Sequence, residues 1–177
     1  MTRTAATTPS AAKEEDRISW RERTPAELIA FILHRYHEPL RRDLPALVDR
    51  GRTIERAART DALCPVGLGP HLEQMLLAVE SHLQKEEKIL FPLILAGRGA
   101  VAFMPIKVLM AEHDDHLASL RRLRHLTRDF ALPAGAATDW RALYDDLAQL
   151  ERELREHIDL ENHLLFTRAL TSSAPAT

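Results

Sequence analysis

The chain is predicted to be all-α, an up-down-up-down bundle of four helices. Three observations predict it. Apolar residues recur at alternating spacings of three and four along four separate stretches, the signature of one buried helical face. The breaks between those stretches are short and marked by Pro and Gly. No stretch shows the two-residue alternation of a strand. With 177 residues and 45% apolar content, the chain is sized for one domain with a real core.

Residues 1–23 are rich in Ala, Thr, Ser and charge and lack apolar periodicity, so they read as a disordered N-terminal tail; 24–171 read as the bundle. Thr24-Pro25-Ala26-Glu27 is a helix start, with Thr as cap, Pro at the first position and Glu at the third. The first helix then places Ile29, Leu33, His37, Leu40, Leu44 and Leu47 along one face. Pro39 and Pro45 are expected to kink or divide it, and Gly51 to weaken it further. Residues 60–69 read as a loop, and Pro70 opens the second helix, whose inward row is Leu72, Met75, Val79, His82, Glu86, Ile89 and Leu93. Gly97 and Gly99 close that helix. The third runs from about Met104 to about Thr127, with Ile106, Leu109, His113, His116, Leu120 and Leu123 in its row. After the break at Leu132-Pro-Ala-Gly135, the fourth starts near Asp139 and carries Trp140, Leu143, Leu147, Leu150, Leu154, His157, Glu161 and Leu164. Four amphipathic helices joined by short connections give the up-down-up-down arrangement.

Composition narrows the function. A formal charge of −2 points to neither a nucleic-acid surface nor an acidic tail. The single cysteine, Cys64, forms no internal disulfide, fits a reducing cytosol and reads as an ordinary loop thiol. No apolar run reaches the roughly 18 residues of a membrane span, and the first residues carry no secretory-type hydrophobic segment. The expectation is a cytoplasmic protein without membrane or nucleic-acid partners. Only the nine histidines are unusual.

The polar residues inside the apolar rows carry the chemistry. His82-x3-Glu86-x3-Leu-Phe91 returns as His157-x3-Glu161-x3-Leu-Phe166. Residues four apart on a helix are about 6 Å apart along the axis, on nearly one face. Each pair is a member of its helix's apolar row, as are His37 in the first helix and His113 in the third. Burying unpaired carboxylates costs several kcal/mol, and two facing each other repel unless a cation lies between them. Four imidazoles and two carboxylates around one or two dications remove that conflict. His37, His82, Glu86, His113, His157 and Glu161 are therefore the expected metal ligands, in a donor set that suits iron or manganese and also accepts zinc. The E-x-x-H pairs of ferritin-like di-iron bundles are absent. His116, one turn beyond His113, is either a further ligand or a neighbour that positions one. His34, His71, His125 and His163 read as surface or rim residues, and Arg41-Arg42 and Arg121-Arg122 as solvated faces.

Several segments carry a resemblance: Trp20-Arg21, Arg35-Tyr-His37, Leu44-Pro-x-Leu47, Ser81-His-x-x-Lys-Glu-Glu-x-Ile-Leu-Phe-Pro92, Glu112-His-Asp114 and Asp159-Leu-Glu-Asn-x-x-Leu-Phe166. With these the chain resembles the hemerythrin-like (HHE cation-binding) domain, specifically the di-iron proteins that repair iron centres. The likeness covers residues 20 to 170. It implies a hemerythrin-like bundle holding two irons per chain, bridged by Glu86 and Glu161, with His37, His82, His113 and His157 as nitrogen ligands. It also implies a role in nitrosative and oxidative stress: restoring damaged iron–sulfur clusters or donating iron to them. Iron–sulfur proteins would be its partners, and nitric oxide, dioxygen or peroxide its small ligands. The alternative is a hemerythrin-type protein that binds or senses dioxygen or nitric oxide without repair. Two departures stand out. The small domain with paired cysteines that such proteins often carry has no counterpart in this sequence, and the segment Ile54-Glu-Arg-Ala-Ala58 has Ala where the family often has His.

Overall fold

The computed structural model describes Trp20 and residues 22–171, so the predicted tail falls mostly outside the described residues. These residues form four helical rods and, among them, no strand. The first rod joins α1 (Pro25–Ile32) to α2 (Glu38–Ala57) through a π-helical segment, Leu33–His37. The second joins α3 (Leu68–Lys85) to α4 (Phe91–Leu95) through Glu86–Leu90. The third is the unbroken α5 (Gly99–Leu126). The fourth joins α6 (Thr138–Leu160) to α7 (Phe166–Thr171) through Glu161–Leu165.

The antiparallel course is visible in the two apolar clusters. One unites the end of the first rod (Leu44, Ile54), the start of the second (Leu68, Leu72), the end of the third (Leu120, Leu123) and the start of the fourth (Leu143, Leu147). The other unites the opposite ends: Leu28 and Ile32, Leu90 and Phe91, Ile106 and Leu109, Leu165 and Phe166. Burying a Leu, Ile or Phe side chain contributes about 1.5–3 kcal/mol, so both ends of the bundle are held independently. The buried residues His37, His82, Glu86, His113, His157 and Glu161 form a belt between the two clusters.

Local chemistry sets the ends of the rods. Thr24 Oγ1 accepts from the Glu27 N–H at 3.2 Å, and Glu27 Oε2 accepts from the Thr24 N–H at 2.8 Å, the reciprocal cap expected from the sequence. The second rod starts two residues before Pro70. Its first turn is capped from the first rod: the Glu55 carboxylate accepts from Gly67 N–H at 2.7 Å and Gly69 N–H at 3.1 Å. That arrangement satisfies donors that no preceding turn can reach and places a negative charge at the helix's positive end. Gly99, expected to close the second rod, instead opens the third, five residues before the expected start.

Gly51 proves not to be a weak point. It is buried inside α2, where the first two rods approach closely: a Cβ there would lie 2.8 Å from Leu72 Cδ1. At Gly69 a Cβ would lie 2.5 Å from Arg52 Cγ and 3.2 Å from Arg52 Cα. Pro45 lies within α2 without ending it. Pro39 and Pro92 directly follow the Glu38 and Phe91 amides, which donate five residues back, to Leu33 and Glu86. A residue without an N–H is least missed where the ladder changes spacing. Trp20, within the expected tail, packs its ring 4.3 Å from that of Phe31, and Arg168 donates to its carbonyl at 3.4 Å.

The π segments overturn part of the predicted rows. Each inserts one residue per turn, so the inward face moves one position along the chain. After Glu86 the core residues are Leu90 and Ile94 rather than Ile89 and Leu93; after Glu161 the core residue is Leu165 rather than Leu164. In the first rod Ile32, fully buried, takes the place expected for Leu33.

Candidate metal centre

A π turn widens a helix and re-aims the side chains at its edge. His37 ends one such turn, and Glu86 and Glu161 each begin one. His82 and His157 lie one turn earlier on the adjoining α-helices, and His113 comes from the unbroken third rod. All six residues named from the sequence are almost completely buried.

They converge in two sets of four that share both carboxylates, His37/Glu86/His157/Glu161 and His82/Glu86/His113/Glu161. In the first set His37 Nε2 is 3.4 Å from Glu86 Oε2, and His157 Nε2 is 3.0 Å from Glu161 Oε1. In the second, His82 Nε2 is 3.4 Å from Glu86 Oε1, and His113 Nε2 is 3.3 Å from Glu161 Oε2. Each glutamate thus turns one oxygen to each set. The imidazole nitrogens also face each other, His37 and His157 at 3.2 Å, His82 and His113 at 3.0 Å.

The electrostatics of this belt demand a cation. Among the described residues, none of the four carboxylate oxygens of Glu86 and Glu161 has an aligned hydrogen-bond donor, although all are buried. An unpaired buried carboxylate is among the costliest groups a core can hold. Burial disfavours charge on His82, yet Glu86, Glu161 and Glu112 outweigh it and push its pKa up to about 9. Burial likewise raises Glu161, but His157 and His113 overcome it and hold its carboxyl well below the usual range. Without metal the belt therefore draws protons into the place where a dication fits, and metal and protons compete for the same lone pairs. Oxygen and imidazole donors in this number fit two borderline first-row cations.

A second ring of residues holds the imidazoles, and most of it was not singled out from the sequence. His37 Nδ1 lies 2.7 Å from Glu87 Oε1, which also accepts from Arg41 at 2.7 Å. His82 Nδ1 lies 3.0 Å from Glu112 Oε2, whose other oxygen pairs with Lys85. His113 Nδ1 lies 2.8 Å from Asn162 Oδ1. Such partners fix the tautomer and the ring orientation of a ligand. Glu87, Glu112 and Asn162 are sequence neighbours of Glu86, His113 and Glu161, which was the available signal; Arg41, read as a solvated face, instead bridges Glu80 and Glu87.

The remaining histidines sort by burial. His116 is buried with its ring 4.9 Å from that of His82, outside both sets of four. Burial and the neighbouring imidazoles lower its pKa to about 3, so it packs as a neutral ring. His71, expected at the surface or rim, is buried among the apolar side chains of α3, with Nε2 2.9 Å from the Ser119 carbonyl. A single cross-rod hydrogen bond suffices to bury a neutral imidazole, which periodicity alone does not reveal. His34, His125 and His163 are exposed, as expected. Ala58 ends α2 in the cluster of Leu44 and Leu68, away from the belt. The Cys64 thiol donates to the Glu55 carbonyl at 3.5 Å, and burial, with Glu55 and Asp61, raises its pKa. These are the marks of an unreactive thiol.

A groove of about 640 Å³, lined by Trp20, Phe31, Tyr36, Leu117, Ile158 and Asn162, among others, runs beside both sets. Tyr36 lies between groove and site, its ring stacked 5.0 Å from that of His157. No described helix is long and apolar enough to cross a membrane.

Comparison with known proteins gives consistent matches. The model of the hemerythrin HHE cation binding domain matches residues 28–169. A protein named iron-sulfur cluster repair protein YtfE from Pectobacterium atrosepticum is 42% identical over 160 residues, 90% of this chain and 72% of that one. Its namesake from Edwardsiella ictaluri is 44% identical over 151 residues, covering 85% and 68% of the two chains. That from Yersinia pestis strain Angola is 42% identical over 151 residues, with the same coverage.

Proposed function

The chain belongs to the hemerythrin HHE cation-binding family, and from that premise we propose that it is a non-haem di-iron protein that repairs damaged iron–sulfur clusters. His37 and His157 would hold one iron and His82 and His113 the other, with Glu86 and Glu161 offering an oxygen to each. The observation that carries the reading is the pair of buried carboxylates, each turning one oxygen to either set of imidazoles with no donor of its own.

Two irons in this donor set would supply open coordination positions and one-electron chemistry. The protein supplies the rest. Glu86 and Glu161 bring two negative charges. Glu87, Glu112 and Asn162 hold the Nδ1 protons of His37, His82 and His113 and so aim their Nε2 lone pairs inward. The apolar clusters on either side keep water from the belt. Damaged iron–sulfur proteins are the partners in this reading, nitric oxide or oxidants the agents of damage, and the cytosol the site of action.

The purified chain loaded with iron should hold about two irons and restore activity to an iron–sulfur enzyme inactivated by nitric oxide. His82→Ala and Glu161→Ala should each lose at least half the metal and the repair. A chain that binds no iron at neutral pH refutes the proposal. The groove beside His157 favours one second reading, a protein that binds a diatomic gas without repair. Two bound irons and a reversible gas adduct, with no recovery of the damaged enzyme, would select it.

A further inference from the structure

The two sets of donors are not held alike, and the geometry points to the His37–His157 position as the one whose metal is exchangeable, with the His82–His113 position retaining its own. This rests on the di-iron reading and specifies which of the two irons leaves.

The difference lies behind the imidazoles. In the retained set both Nδ1 atoms have acceptors, Glu112 at 3.0 Å and Asn162 at 2.8 Å. Both protons are thereby fixed on the outer nitrogens, and two Nε2 lone pairs face each other across 3.0 Å. A metal ion, or a further proton taken up between them, relieves that arrangement. In the other set His37 is held in the same way by Glu87, but His157 Nδ1 is buried with no hydrogen-bond partner among the described residues. A ligand tautomer with the proton on that nitrogen leaves a buried N–H unsatisfied. The opposite tautomer puts the proton on Nε2, which is 3.0 Å from Glu161 Oε1 and 3.2 Å from His37 Nε2. When metal departs from this position, His157 can turn its proton inward toward groups already in place. At His82 or His113 the same exchange of tautomer would break the bond to Glu112 or Asn162.

The groove of about 640 Å³ does not separate the two positions, since Tyr36, stacked on His157, and Asn162, the partner of His113, both line it. Losing an outer-ring partner typically lowers metal affinity by about 10–100-fold, and His157 has none to lose.

The test is release of iron from the fully loaded protein to an excess of a chromogenic chelator, followed in time, with total iron and helix content measured beforehand. One iron per chain should leave about tenfold or more faster than the other. Glu112→Ala should accelerate the slow phase about tenfold and leave the fast phase alone, and Glu112→Gln, which keeps an acceptor, should restore part of the difference. Glu87→Ala should accelerate only the fast phase. Release of both irons in one phase from the unmodified protein overturns the inference, as does acceleration of the slow phase by Glu87→Ala and of the fast phase by Glu112→Ala. If the unmodified protein holds a single iron, Glu112→Ala should release it and Glu87→Ala should not; the reverse overturns the ranking. A protein that takes up no iron fails the di-iron reading itself and the ranking with it.

Discussion

Glu86 and Glu161 sit where a core would ordinarily place leucine. Their oxygens are shielded from water and aligned with no donor among the described residues, so a partner between them is what would justify their burial. Replacing Glu86 by Gln keeps size and shape but removes a negative charge from both positions, and bound iron should fall below one per chain, measured by metal analysis. His71 is the contrasting residue. It is nearly as buried as the candidate ligands but spends one nitrogen on the Ser119 carbonyl and leaves the other without a partner among the described residues. His71→Leu loses one hydrogen bond and one unsatisfied atom together, so chemical denaturation should show a change of no more than about 1 kcal/mol, with metal content unchanged. The convergence of the six candidate ligands was legible because each interrupts an apolar row with a group that needs a partner. His71 was not, because a backbone carbonyl on another rod satisfies it, and nothing in the spacing announces that. Arg41 was misread for a similar reason: an arginine on a polar face looks the same whether it meets water or Glu87.

The four helices and their order followed from periodicity, and the reciprocal cap at Thr24 and Glu27 formed as its spacing predicts. The register beyond Glu86 and Glu161 did not follow, because a π turn adds a residue that a three-and-four pattern cannot represent. The consequence is measurable. Ile89 is 50% exposed and Leu90 fully buried, the reverse of the uninterrupted pattern. Leu90→Ala should therefore cost about 2–5 kcal/mol, whereas Ile89→Ala should cost about 0.5 kcal/mol or less, as surface changes usually do. The close approach of α2 and α3 gives another pair. A Cβ at Gly69 meets the Arg52 backbone, which cannot yield without parting the rods, so Gly69→Ala should destabilise by about 1–3 kcal/mol. At Gly51 the obstacle is the tip of Leu72, which can rotate. Helix propensity also favours Ala over Gly by about 0.5–1 kcal/mol, so Gly51→Ala should be closer to neutral. Thermal unfolding of the two variants side by side checks the order.

At the scale of the whole molecule, the two apolar clusters and the belt between them make stability depend on metal. A ligand present at a thousand times its dissociation constant contributes about 4 kcal/mol, and each kcal/mol moves the midpoint by about 2–4 °C in a domain of this size. Chelation of the loaded protein should therefore lower the melting temperature by roughly 10 °C, read by calorimetry or circular dichroism. The position of the belt decides how that loss is felt. Every rod has one end in each cluster, so removing metal unpins neither end. What loosens is the middle, where three of the four rods already carry a wider turn. The bundle then resembles a barrel of staves hooped at both rims and clasped at the girth. With the clasp undone the staves can bow apart while the rims stay closed, so a metal ion can enter or leave a folded protein. Amide exchange should accelerate around 82–90 and 157–165 on chelation, well before it does in the apolar ends.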